Sequence, residues 1–192
     1  GISKELAEDY VFDKDVLKMC RRNSEIAAAH NRRDLVQIWS LAELSCEGVL
    51  RSYIPSSNPE CRDNGDGQPQ VSLMSSNDSD FGDRPWTMHP FGSKLIQSLI
   101  DHYVFNCHDV QTAAMLVWTF SSSRLGRQIR DGCQQSSKST SSDGIFPKLN
   151  ILSPERSLQN DLIMHIYAEL LYRLNLLNQR AMVLKNIGSN DT

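Results

Sequence analysis

The chain has little that would tie it together covalently or carry it into a membrane. Its five cysteines, Cys20, Cys46, Cys61, Cys107 and Cys133, are odd in number, widely spaced and without a C-x-x-C pair. That pattern argues against a disulfide framework and against a zinc knuckle, and reduced thiols in a cytosolic setting are the expectation. No apolar run approaches the ~20 residues that span a bilayer. Gly1 to Tyr10 is acidic and polar where a secretory leader would be basic and then apolar, so a soluble chain without encoded export is expected. Its start at Gly rather than Met predicts a piece of a longer protein. Positive charge is lacking too: 20 Lys and Arg stand against 23 Asp and Glu, a net charge of -3. Such a chain has no field for phosphate backbones, which excludes DNA and RNA as expected partners. Also absent are a Gly-rich phosphate loop, a G-x-S-x-G elbow, an H-E-x-x-H pair and any useful length of strand-like alternation.

What is present is helical patterning, unevenly distributed over 192 residues of which 40% are hydrophobic. Residues 51–85 hold Pro55, Pro59, Pro69 and Pro85, a turn cluster at 64–67 and an acidic excess. Residues 121–152 are Ser-rich and basic, with Arg124, Arg127, Arg130 and Lys138 against Asp131 and Asp143. Both stretches read as long disordered insertions that cannot bury enough apolar area to offset the entropy of ordering them. Deleting 56–83 or 122–143 is therefore expected to leave the fold intact. The ordered parts, about 13–50, 86–120 and 153–188, must then supply the core.

In the first part, Asp13 is placed to cap a helix carrying Val16, Leu17 and Cys20. Asn23 is placed to cap a second short helix over 24–30, and Asn31 breaks it. A third helix runs from about Arg33 to Ser45 with Leu35, Ile38, Trp39 and Ala42 on one side. The second part has a wide stripe of Phe91, Leu95, Ile96, Leu99, Ile100, Tyr103 and Val104. After a break at 106–108, Asp109 can cap a helix through Ala113 to Trp118 that is apolar all round and therefore central. The last part opens on Ser153-Pro154-Glu155, a helix start, and carries Leu158, Leu162, Ile163, Ile166, Tyr167, Leu170 and Leu174. A turn near 175–178 leads to a final helix closed by Gly188. The expected fold is all-α: an α-solenoid segment of antiparallel helical hairpins, with an irregular bundle as the other packing of such helices.

Few residues suggest chemistry. His102, Cys107 and His108 are close enough in sequence to suggest zinc, but structural zinc sites show tighter paired spacing. The cluster Asp63-Asn64-Gly65-Asp66-Gly67 fails the calcium-loop template, which requires a bidentate Glu where Met74 stands. His165 and Glu169 share a helical face with no nucleophile beside them in sequence, which favours a surface pair over a general base. Trp39 and Trp118 sit on apolar faces, whereas Trp86, beside Pro85, is the better exposed anchor. No catalytic residue, cofactor ligand or metal ligand is assigned; the residues alone indicate a helical interaction module.

Three segments add a resemblance. Arg32 to Ala42, His89-Pro90-Phe91-Gly92 with its continuation through Asp109-Val110-Gln111 to Leu116, and Tyr167 to Leu174 with Gln179 to Lys185 together resemble the α-solenoid region of the family of WD repeat-containing protein fifty-nine and its fungal counterpart in the SEA complex. One departure is Leu174-Asn175, standing where that family has a Trp-Gly-like turn. The resemblance implies a cytosolic chain peripheral to the lysosome or vacuole. It implies a non-catalytic scaffold of the GATOR-two (SEACAT) assembly, which relays amino-acid sufficiency to the TOR kinase complex. A propeller and an RWD domain would precede this region, and a RING-like zinc domain would follow it, so that no cofactor belongs to the region itself. Protein subunits bearing propellers and RING-like domains are the implied partners. A generic helical adaptor of coat or nuclear-pore type, and a helical enzyme of unrecognised type, are the competing expectations.

Overall fold

The computed structural model describes residues 3–53, 85–136, 149 and 151–187. Among them are eight α-helices and no strand: α1 Lys4–Asp9, α2 Val16–Ala29, α3 Arg33–Tyr53, α4 Pro90–Asp101, α5 Val110–Phe120, α6 Ser122–Ser136, α7 Ser157–Arg173 and α8 Leu177–Ile187. Short 3-10 turns, Trp86–Met88 and Pro154–Arg156, precede α4 and α7, and a π-helical turn, His102–Asn106, ends α4. The all-α expectation holds.

Helices α2 and α3 form a hairpin whose joint follows from one residue. Asn31 adopts φ 58. That left-handed step lets the Arg32 N–H reach back to the Ala27 carbonyl and the Asn31 N–H to that of Ala28, closing α2 with a Schellman motif. The same device closes α7: Asn175 at φ 62 lets Leu176 N–H bond Leu171 O and Asn175 N–H bond Tyr172 O. Asn tolerates this conformation, so Leu174-Asn175 turns the chain into α8 without a glycine.

The first part departs from expectation at three points. A helix, α1, precedes it and buries Leu6 and Ala7. The cap of α2 is Asp15, whose carboxylate accepts from Leu17 and Lys18 N–H, while Asp13 accepts from Asp15 N–H. And α2 is one helix where two were expected. Asn23 lies buried within it, its side chain accepting from Val11 N–H at 2.8 Å and donating to Val11 O at 3.2 Å. A residue read as a local cap instead satisfies the backbone of the link from α1, two groups that burial would otherwise leave costly.

The second part behaves as its pattern predicts in α5 and only partly in α4. Asp109 caps α5, and every residue from Gln111 to Phe120 is buried. In α4, Ile96 and Ile100 enter the core and Leu99 packs against it, while Phe91 is 79% exposed. Gly92 has a steric reason: a Cβ there would stand 2.0 Å from the Trp86 carbonyl oxygen, so the 3-10 turn can fold against α4 only over a glycine.

The reading of 121–152 as an insertion is overturned for its first half. α6 occupies Ser122–Ser136, and Leu125 and Ile129, one turn apart, are fully buried. The hydroxyl of Ser122 donates to Leu149 O, and Leu149 and Ile151 are themselves in the core. Arg124 lies with its guanidinium 4.6 Å from the Trp118 ring centroid and donates to the Asp13 carbonyl. Gln128 accepts from Val16 N–H at the start of α2. Deleting 122–143 would thus remove core residues. The remainder, 137–148, lies outside the described residues, as do 54–84 of the acidic stretch; residues 51–53 of the latter belong to α3. Gly188 is also outside them.

At the start of α7, Ser153 makes no side-chain capping bond, and the turn is tied instead by the ion pair Arg156–Asp101 to the end of α4. The face of α7 toward the core carries Ile163, Met164, Tyr167, Ala168 and Leu171. One cluster of buried side chains includes residues from α1 through α8.

Candidate functional site

Two of the segments that carry the family resemblance meet in a polar joint that is open to solvent at Arg32 and Asp34 and buried at Asp109. Arg32, one residue before α3, grips Asp34 through two parallel bonds of 2.9 and 2.8 Å. Its guanidinium is also 4.0 Å from Oδ2 of buried Asp109. Asp109 accepts from Thr112 N–H at 3.1 Å and from the Thr112 hydroxyl at 2.7 Å, so its buried carboxylate faces donors and a cation. Beside it, Trp39 Nε1–H donates to the Tyr10 hydroxyl at 3.2 Å, the two rings meeting edge to face at 5.5 Å. Hydrogen bonding to Arg32 holds the Asp34 carboxyl below the usual carboxylate range. Burial pushes the Tyr10 and Tyr103 hydroxyls up to about 12, and that of Tyr167 upward also. The polar groups of Arg32, Asp34, Asp109 and Thr112 are spent on one another, and those of Trp39 and Tyr10 on each other. The role of the joint is to register the starts of α3 and α5, and sequence spacing had no means to pair residues 32 and 109.

The outer surface carries the features suited to recognition. Leu158, Leu162 and Ile166, four apart along α7, were expected in the core; they point away from it, with Leu158 85% exposed. Tyr172, Leu177 and Met182 extend apolar exposure to the α7–α8 hairpin, with the Arg180 guanidinium 4.9 Å from the Tyr172 ring centroid. α7 therefore has two apolar faces, and one stripe of seven residues was the wrong grouping: Ile163 and Tyr167 belong inside, Leu158, Leu162 and Ile166 outside. Trp86 is exposed, as expected, while Trp39 and Trp118 are buried. Lys14, Asp15, Arg124, Arg127, Gln128 and Asp131, charges of both signs, line a cleft of about 630 Å³ between the approach to α2 and α6.

The sequence-suggested chemistry resolves as follows. His102 and Cys107 come together, Nε2 to Sγ 3.3 Å, with Asn106 bonded to the other ring nitrogen at 3.1 Å. His108 adopts φ 50 in the following turn. Among the described residues, no group of three or more His, Cys, Asp or Glu is placed to hold a metal ion. His165 and Glu169 are exposed, and Glu169 pairs with Arg173 at 3.3 Å. The Asp63–Met74 cluster lies outside the described residues. Among the described residues no helix is long and apolar enough to cross a membrane.

No family model matches the chain. Comparison with curated proteins finds the GATOR2 complex protein WDR59 of Gallus gallus, 35% identical over 137 residues, which are 70% of this chain and 11% of that protein. WDR59 of Homo sapiens is 33% identical over 62% of this chain and 10% of its own length. An uncharacterised RWD, RING finger and WD repeat-containing protein of Schizosaccharomyces pombe is 28% identical over 60% of this chain and 7% of its own length. The chain is a WDR59-like helical region, and it spans about a tenth of the length of the relatives it matches.

Proposed function

We propose that the chain is a non-catalytic scaffold segment of a GATOR2-type assembly, working at the cytoplasmic face of the lysosome or vacuole. There it spaces propeller and RING-bearing subunits and supports amino-acid signalling to the TOR kinase complex. The observation that carries this reading is the 35% identity to a protein named as a GATOR2 complex component. The physical organisation is in keeping with it: the polar groups of the joint are engaged with each other, and the recognition features lie on outer helix faces. A scaffold needs that division, because its helices must bury one face among themselves and leave another for partners.

The test is affinity purification of the tagged full-length protein from its own cells, with quantitative mass spectrometry of what comes with it. Stoichiometric recovery of WD-repeat and RING-finger proteins is expected. Recovery of coat or nuclear-pore components in their place would overturn the assignment to this assembly. A purified chain that turned over a substrate would overturn the non-catalytic part.

A further inference from the structure

The π-helical turn at the end of α4 juxtaposes two side chains that an α-helix would hold apart. Residues five apart in an α-helix are rotated by about 140° around its axis. Here the Cys107 N–H bonds to the His102 carbonyl at 3.0 Å, the Asp109 N–H bonds to that of Tyr103 at 2.8 Å, and the wider turn brings residue i+5 beneath residue i. Cys107 Sγ consequently lies 3.3 Å from His102 Nε2. The ring is not free to swing: its Nδ1 is bonded by Asn106 at 3.1 Å, and its edge meets the buried Tyr103 ring at a centroid distance of 5.7 Å. Thiol, imidazole and carboxamide thus form a chain in which each member orients the next. For Nε2 to accept a proton the neutral ring must hold its own on Nδ1, the tautomer that Asn106 supports with its amide turned so that Oδ1 accepts from Nδ1–H. Both Cys107 and His102 are exposed.

We propose that Cys107, activated by His102, is a site of oxidative modification by hydroperoxides. In the step, the thiol proton passes to His102 Nε2, and Sγ attacks one oxygen of the peroxide. The S–O bond forms as the O–O bond breaks, and the departing hydroxide or alkoxide takes the proton from the imidazolium and leaves as water or an alcohol. Cys107 is oxidised by two electrons to the sulfenic acid and the peroxide is reduced. The thiolate is the nucleophile, so a neighbour that accepts its proton and then faces it with an N–H speeds the attack. The other described thiols are built the opposite way. Cys20 and Cys46 are buried, and burial pushes the Cys20 thiol up to about 12 and that of Cys46 upward as well.

The test treats the intact chain with hydrogen peroxide, traps sulfenic acid with dimedone and reads each cysteine by mass spectrometry. Cys107 is expected to be labelled about ten times faster than a free glutathione thiol under the same conditions, and H102A and N106A are each expected to bring it back toward that reference. Circular dichroism establishes that the variants remain helical, and because both side chains are exposed two independent variants guard against a folding artefact. Labelling of Cys107 at the glutathione rate, or at an unchanged rate in folded H102A and N106A, would overturn the proposal, since exposure alone would then account for it.

Discussion

Helices α6 and α7 are a matched pair of opposites. α6 comes from a Ser- and Arg-rich stretch with two large aliphatic side chains in its first two turns, yet both, Leu125 and Ile129, are fully buried. α7 is rich in large apolar residues, yet Leu158, Leu162 and Ile166 lie outside the core. Apolar count therefore does not measure contribution to the core. What matters is whether the apolar positions fall on the single face that a neighbouring helix covers, and whether polar neighbours can be satisfied where they lie. In α6, Arg124 buries its stem, spreads its guanidinium over Trp118 and donates through one terminal nitrogen to the Asp13 carbonyl.

The comparison is broken most severely at Trp118, the surface on which α6 is seated. Trp118→Ala should cost about 3–5 kcal/mol, because it removes a ring that packs edge to face on Phe12 at 4.9 Å and uncovers the buried Arg124. Leu125→Ala should cost about 2–5 kcal/mol, measured by urea denaturation, although its surroundings in sequence look like a linker. A loss below about 0.5 kcal/mol at Leu125 would show that α6 is not part of the cooperative unit.

An alkaline titration tests burial without mutation. Tyr10 is 4% exposed and its hydroxyl is pushed up to about 12 by burial, above the value near 10 of an unfolded tyrosine. A raised folded value means that the unfolded chain loses the proton first, so this contribution is fully present below pH ~10 and is lost as pH rises toward 12. Tyr103 acts in the same sense. Helical circular dichroism and tyrosinate absorbance should accordingly change together between pH ~10 and ~12, with on the order of 2 kcal/mol involved per tyrosine. With Tyr53 and the exposed Tyr172 replaced by Phe so that only the buried rings report, tyrosinate absorbance that developed at pH ~10 with the helices intact would contradict the burial.

Gly92→Ala comes next, at about 1–3 kcal/mol, because the added methyl must push the Trp86 carbonyl away from α4. A stabilising effect in thermal unfolding, the usual result of removing a glycine from a helix, would mean that the 3-10 turn is not held there.

The legible parts of the fold were those governed by local rules. Asn31 ending α2, Asp109 capping α5 and the all-round apolar character of α5 can each be seen from a few neighbouring residues, because capping and periodicity act within a turn or two. Illegible were the features set by partners distant in sequence. Asn23 has the composition of a cap and serves as a clamp on Val11, and the joint of Arg32 with Asp109 spans two helices. His102 and Cys107 were considered as ligands from their proximity in sequence, but the π turn that brings them together leaves no pattern in the residues. The polar joint was visible only indirectly, through the family resemblance of the segments that build it.

The smallest effect expected is also the most informative about α7. Leu162→Ser changes a large apolar side chain to a small polar one in the middle of the outer stripe, where the residue is 58% exposed. If the stripe is surface, stability by urea denaturation should move by no more than about 0.5 kcal/mol. The same change on the inner face, Leu171→Ser, removes a fully buried side chain and leaves a hydroxyl in its place, and should cost several-fold more. Equal costs at the two positions would erase the distinction between the faces of α7. A silent Leu162→Ser that nonetheless weakens recovery of partner proteins would assign the stripe to recognition, because a side chain with no part in folding would then have one in assembly.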